Sequence, residues 1–202
     1  MKTKRVDTRR MVLLAMLSGI LLVMSFTPLG YLNIGPLAIS LNMIPVAIGA
    51  VALGPGGGAF LGAVFGITSC LQCVGIGGTS AMGVILFEIS PVLTIVQRFV
   101  TRVLAGCLTG VVYRWLRKLH FSYAGYAAGF SAALFNTAFF MGALVLLFGN
   151  TPYLQNLIAG RNILVFILSF VGINAVVELL AATVTVGVVC KALEKLNLIG
   201  GK

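Results

Sequence analysis

The chain has 202 residues, 59% hydrophobic and 9% charged, with a formal net charge of +10. At a mean hydropathy of +1.10 it lacks the polar surface that a water-soluble domain presents, which excludes an ordinary globular fold and points to an integral membrane protein. The positive balance does not imply nucleic acid, because the basic residues sit at the ends of apolar segments rather than on one polar face.

The first apolar segment, Met11 to Phe26, follows a basic stretch. Ser25-Phe26-Thr27-Pro28 leads into more apolar sequence without a small-residue cleavage site, so the segment is expected to stay as a transmembrane helix. Leu37 to Leu53 is borderline for the roughly 20 residues of a span. Ala59 to Cys70 is shorter still and lies between Gly54-Pro55-Gly56-Gly57-Gly58 and the Gly75 to Gly78 stretch, both read as turns. The first of these lacks the Gly-Lys-Ser/Thr ending that would make it a phosphate loop. Cys70 and Cys73 form a Cys-x-x-Cys pair, but Cys107 and Cys190 fall elsewhere and no His is near, so small buried thiols are expected and no metal site. Ile89 to Tyr113, Tyr123 to Phe148 and Ile163 to Cys190 are long enough to span with tilt.

The expected fold is therefore all-α: one transmembrane domain over 1–202 with six helices, preceded by a basic segment over 1–10. Lys2, Lys4, Arg5, Arg9 and Arg10, then Arg114, Arg117 and Lys118, then Lys191, Lys195 and Lys202 are eleven of the fourteen basic residues. An even number of spans puts all eleven on one face, which the positive-inside rule makes cytoplasmic, with both termini. Arg161 falls outside, and Arg98 and Arg102 fall within the membrane.

Ionisable groups at that depth are costly and face a bundle interior or a cavity. Counting 1.5 Å per residue from the outer ends, Arg98 and Arg102 lie roughly 14 and 20 Å deep, Asn136 roughly 18 Å, and Asn174 and Glu178 roughly 17 and 23 Å. Three helices thus bring polar groups to one layer. Arg102 and Glu178 fit an ion pair holding two helices together. Arg98, left without an acidic partner, fits an anion anchor or a side chain snorkelling toward the headgroups.

The run "FTPLGYLNIGPLAISLNMIPVAIGAVALGPGGGAFLGAVFGITS", Phe26 to Ser69, with the later "ALFNTAFFMGALVLLFGNTPYL" and "FVGINAVVELL", resembles the substrate-binding S components of energy-coupling factor (ECF) vitamin transporters. The resemblance implies a six-helix subunit in a bacterial plasma membrane that captures a water-soluble vitamin and hydrolyses nothing itself. Its partners would be the ECF scaffold transmembrane subunit and two ATPase subunits, with no cofactor. The "LLFGNTPY" and "VGINAVVE" stretches look most like members assigned to pantothenate. A site for that ligand would use Arg98 for the carboxylate, Asn136 and Asn174 for the amide and hydroxyls, and Tyr31 or Asn33 to close the top, with Glu178 in the same layer. Small residues on the first helix, Ala15, Ser18 and Gly19, would form the scaffold-docking face; as plain packing they permit close helix approach anywhere.

Other vitamins stay open: folate or biotin would also use an arginine, riboflavin would want stacking and diol contacts, and pyridoxine is a further member of the set. A stand-alone facilitator or channel would show a similar polar layer. A membrane enzyme is a rival class, but the pattern of an intramembrane serine protease is not matched: Gly78-Thr79-Ser80-Ala81-Met82 misses the second glycine of its motif and His120, the one histidine, lies in a loop.

Overall fold

The computed structural model describes residues 8–28, 30–33, 38–77, 80–160 and 162–196. Helix α1 (Thr8–Phe26) leads to an antiparallel hairpin of two three-residue strands, β1 (Tyr31–Asn33) and β2 (Ala38–Ser40), with Tyr31 opposite Ser40. Helix α2 (Met43–Leu53) follows. The second apolar segment is thus helical only from Met43; Leu37 itself lies outside the described residues. Pro45 fits there because the amides of a helix's first turn have no intrahelical partner, so its missing N–H costs nothing.

Gly54, at φ +81°, turns the chain directly into α3 (Pro55–Leu71), so the expected turn is one residue long and the other glycines of Gly54–Gly58 are helical. Pro55 opens that helix with its fixed φ. Beyond the 3₁₀ turn Gln72–Val74, helix α4 (Ala81–Ile89) is capped by Ser80, whose Oγ accepts the Gly83 N–H at 3.3 Å. Pro91 cannot continue α4 and instead starts α5 (Pro91–Lys118). Helices α6 (Ala124–Phe148), α7 (Pro152–Ile158) and α8 (Ile163–Lys195) complete the described chain. The short helices α4 and α7 were not expected from the apolar pattern.

Among the described residues, five stretches are long and apolar enough to cross a membrane: Thr8–Phe26, Pro55–Val74, Pro91–Lys118, Ala124–Phe148 and Asn174–Lys195. Helix α2, with 11 residues, extends roughly 16 Å and covers only about half of a 30 Å hydrocarbon core.

The tightest packing is between α3 and α5. Gly58, Gly62 and Gly66 repeat every fourth residue and lie against the backbone of Gly106, Arg102 and Phe99, while Gly110 lies against Pro55. A Cβ at any of these glycines would collide with the neighbour, so the small-xxx-small ridge lets two antiparallel backbones touch. Ser25, near the end of α1, meets Thr68 and Gln72 at the end of α3, so α1 runs parallel to α3. On the other side Gly125 meets Cys190 and Gly129 meets Ala182, pairing α6 antiparallel to α8. These directions bring the start of α1 and the ends of α5 and α8 to one end of the bundle. Arg9, Arg10, Arg114, Arg117, Lys118, Lys191 and Lys195 therefore share that end; Lys2, Lys4, Arg5, Arg161 and Lys202 lie outside the described residues.

One apolar cluster joins α1, α2, α3, α5, α6 and α8 around Leu21, Val46, Leu61, Phe65 and Val186. A second packs α4, α6, α7 and α8 around Leu86, Leu144, Phe148, Leu154 and Phe166. The polar site lies above the first cluster, where α2 gives way to the hairpin.

Candidate functional site

Helix α5 buries a polar stripe at successive turns: Thr94, Gln97, Arg98, Thr101 and Arg102. The threonine hydroxyls return to their own helix, Thr94 to Ser90 O and Thr101 to Gln97 O. The longer side chains reach outward to neighbouring elements. Measured at 1.5 Å per residue from Arg114, Ala124 and Lys191, which lie level with the Gly54 turn at the foot of α2, Arg102, Asn136 and Glu178 lie roughly 18 to 20 Å up, just above the top of α2. The hairpin therefore enters the bundle at the depth of the polar layer. Non-helical backbone at such depth is tolerated where it is enclosed by protein or lines a cavity.

Arg98 is 4% exposed and points inward, which disposes of snorkelling. Its Nη1 donates to Ser69 Oγ at 2.9 Å and Ser69 O at 3.3 Å, and its Nη2 to Ser80 Oγ at 3.0 Å. The serine of the protease-like string thus caps α4 and receives an arginine. Arg102 is 6% exposed and has fewer polar partners: Nη1 donates to Arg98 O at 3.0 Å, while the guanidinium carbon lies 4.6 Å from the Phe65 ring centroid and 5.3 Å from that of Phe140. Phe140 also lies 5.9 Å from the Arg98 guanidinium. Nε of both arginines is buried without a hydrogen-bond partner.

The expected Arg102–Glu178 ion pair is absent among the described residues. Glu178 is within electrostatic reach of Arg102, but its Oε1 accepts the Ser40 N–H at 2.6 Å. That bond ties α8 to the hairpin and explains why the carboxylate turns away: a strand edge supplies a free amide that no sequence spacing announces. Glu88, at the end of α4, is exposed. Two guanidiniums one turn apart accordingly share one carboxyl at a distance, so the layer has at least one excess positive charge.

Other predicted residues join the layer unevenly. Asn136 and Asn174 are buried on α6 and α8, and the Asn136 amide makes no hydrogen bond among the described residues. Tyr31, opposite Ser40 in the hairpin, is within electrostatic reach of Arg102, and its hydroxyl is buried without a partner. The backbone of Asn33 belongs to β1, but its side chain lies outside the described residues. Gln97 was missed: it is fully buried, its Nε2 donates to Phe140 O at 3.4 Å, and its Oε1 has no partner. Its position one residue before Arg98, three after Thr94 and four before Thr101 was the available signal. Unmade hydrogen bonds of buried groups cost about 1 to 3 kcal/mol each. The layer combines spare donors, spare acceptors and excess positive charge, and so suits an anion that also carries hydroxyl or amide groups.

On α1, Ala15 and Gly19 are exposed and Ser18 is half-buried. A Cβ at Gly19 would meet nothing within 4 Å, so the face is open at Ala15 and Gly19, whereas the Ser18 hydroxyl is buried.

A family model described as "ECF transporter, substrate-specific component" matches residues 9–190. The chain is also 27% identical over 194 residues to the pantothenate transporter PanT of Leuconostoc mesenteroides subsp. mesenteroides, with 90% of each chain covered. Both matches are to transport proteins and neither is to an enzyme.

Proposed function

Because the chain belongs to the family of ECF transporter substrate-specific components, we propose that it captures a carboxylate-bearing vitamin, pantothenate, for ATP-driven uptake through a scaffold transmembrane subunit and two ATPase subunits. The observation that carries the substrate reading is the buried Arg98–Arg102 pair with no carboxylate in ion-pair contact among the described residues. Moving uncompensated charge into a low-dielectric site is expensive, and a bound carboxylate restores the balance. A neutral vitamin such as riboflavin would leave that cost in place. The 27% identity to a pantothenate transporter supports the choice among acidic vitamins.

In this reading Arg102 offers its unpaired Nε to the ligand carboxylate, and Arg98, braced by Ser69 and Ser80, adds positive potential and a second donor. Asn136, Asn174 and Gln97 meet the amide and hydroxyls. Tyr31 closes the site from the hairpin, Asn33 stands on the same strand, and Glu178 holds the hairpin down. The chain is a single transmembrane domain of six passes, α2 with its hairpin making the second, in a bacterial plasma membrane. The basic end and both termini face the cytoplasm, and Ala15, Ser18 and Gly19 of α1 meet the scaffold.

The test is binding of pantothenate, biotin, folate, riboflavin and pyridoxine to the purified protein by isothermal titration. Pantothenate should bind far more tightly than its neutral amide analogue. Tight binding of a neutral vitamin with pantothenate ignored would overturn the reading.

A further inference from the structure

At the basic end, remote from the polar layer, a groove of about 470 Å³ opens on the bundle surface between α5, α6 and α8. Val112, Tyr126, Phe130 and Thr183 are among its walls, with Phe121 and Tyr123 at the mouth. The wall is apolar in effect, because Ser131 and Thr183 turn their hydroxyls back to Ala128 O and Leu179 O of their own helices. Tyr126 lies flat on α8 against Gly187, where a Cβ would collide with the ring.

The Lys191 ammonium stands at the mouth, 5.3 Å from the Tyr123 ring centroid and 5.1 Å from that of Tyr126. The one carboxylate on the last turns of α8, Glu194, is taken by Arg117 at 2.7 Å, so Lys191 has no ion-pair partner among the described residues. From Tyr123 to Phe130 and from Lys191 to Thr183 the groove runs roughly 11 to 12 Å along the helices. That is most of the roughly 15 Å hydrocarbon depth of one leaflet. Cation and tyrosines mark the headgroup level at one end, and the apolar wall follows a chain inward.

We propose that this groove binds an anionic phospholipid, one acyl chain lying against Val112, Tyr126 and Phe130 and the headgroup phosphate on Lys191. Charge selects the lipid: Lys191 lacks an anion, and a lipid of net negative charge supplies it. A basic cavity between transmembrane helices is a recurrent form of headgroup recognition.

The test uses the full chain purified in detergent, with lipid retention read by native mass spectrometry and stability by thermal shift. The probes are dioleoyl phosphatidylglycerol, dioleoyl phosphatidylcholine and glycerol 3-phosphate. Phosphatidylglycerol should be retained about fivefold over phosphatidylcholine, the preference expected of one lysine near a headgroup, and glycerol 3-phosphate should give no adduct. Lys191→Gln, at an exposed position, should erase the preference, and Ala127→Trp, which fills the groove, should reduce retention of both lipids. Equal retention of the two lipids by the wild type, an unchanged preference in Lys191→Gln, or full retention in Ala127→Trp would overturn the proposal. So would a photo-crosslinker at Phe130 that captures protein instead of lipid in native membranes.

Discussion

Arg98 and Arg102 are one turn apart on α5, yet their neighbours differ enough that removing each should have a different cost. Arg98 anchors the end of α3 and the start of α4 through three hydrogen bonds, so Arg98→Gln should lower the melting temperature as well as weaken binding. Arg102 makes one bond to a carbonyl one turn back and lies between two rings. Arg102→Gln should leave the melting temperature of the ligand-free protein near that of wild type and weaken a carboxylate ligand about ten- to a hundred-fold, the worth of a charge-assisted contact. Thermal shift and titration calorimetry on both variants separate the roles, and equal binding by Arg102→Gln and wild type would remove Arg102 from the ligand. Glu178 makes a finer case. Glu178→Gln keeps an oxygen to accept the Ser40 N–H, whereas Glu178→Ala loses it; faster amide exchange in 38–40 should appear in the alanine variant and be small in the glutamine one. The presence of these side chains in one layer was legible from depth counting alone. Their partners were not, because a serine at the end of another helix and a backbone amide in a three-residue strand leave no periodic trace.

Glycine does for the elements what the arginines do for the site. Gly62 lies against the carbonyl of Arg102 itself, so the α3–α5 contact fixes the height and rotation of the arginine stripe. Gly62→Val should push α5 away, lower the melting temperature by several degrees and weaken ligand binding together. Gly56→Ala, two residues before Gly58 and so on the far side of the helix from the ridge, with nothing within 4 Å of the added Cβ, should stabilise or change nothing. A Gly62→Val protein as stable as wild type would show that the helices touch elsewhere. The period-four repeat Gly58, Gly62, Gly66 was on view in the sequence, but Gly54-Pro55-Gly56-Gly57-Gly58 reads locally as a breaker, and local signals cannot report that another backbone needs the space. The long helices α5, α6 and α8 were legible because their apolar runs exceed twenty residues. Helices α4 and α7, with nine and seven residues, and the hairpin are too short to establish a period.

For the molecule as a whole, directions follow from contacts: three helix pairs fix which ends lie together, and seven described basic residues gather at one end. Charge bias assigns that end to the cytoplasm in our proposal. In a variant lacking the four native cysteines, a cysteine at Lys118 should resist an impermeant maleimide added to intact cells, and one at Asn150 should react; the reverse pattern would invert the topology. Helix α1 carries the remaining inference. Its one buried edge, Leu17, Leu21 and Ser25, meets α2 and α3, while Met11, Val12, Met16, Ile20 and Val23 are exposed together with Ala15 and Gly19. Large apolar side chains flanking two small ones suit either lipid or a closely approaching helix, and the two differ in what a bulky side chain does. Against lipid, Gly19→Trp is accommodated by fluid chains and uptake continues. Against a scaffold helix, it holds the partner off by several ångströms and uptake stops. Because Gly19 is exposed and nothing within the described chain lies within 4 Å of a Cβ there, pantothenate binding by the isolated subunit should match wild type in either case. Normal binding with uptake reduced to background therefore identifies docking. Normal uptake assigns the face to lipid, and loss of binding would mean that α1 packs on the site after all.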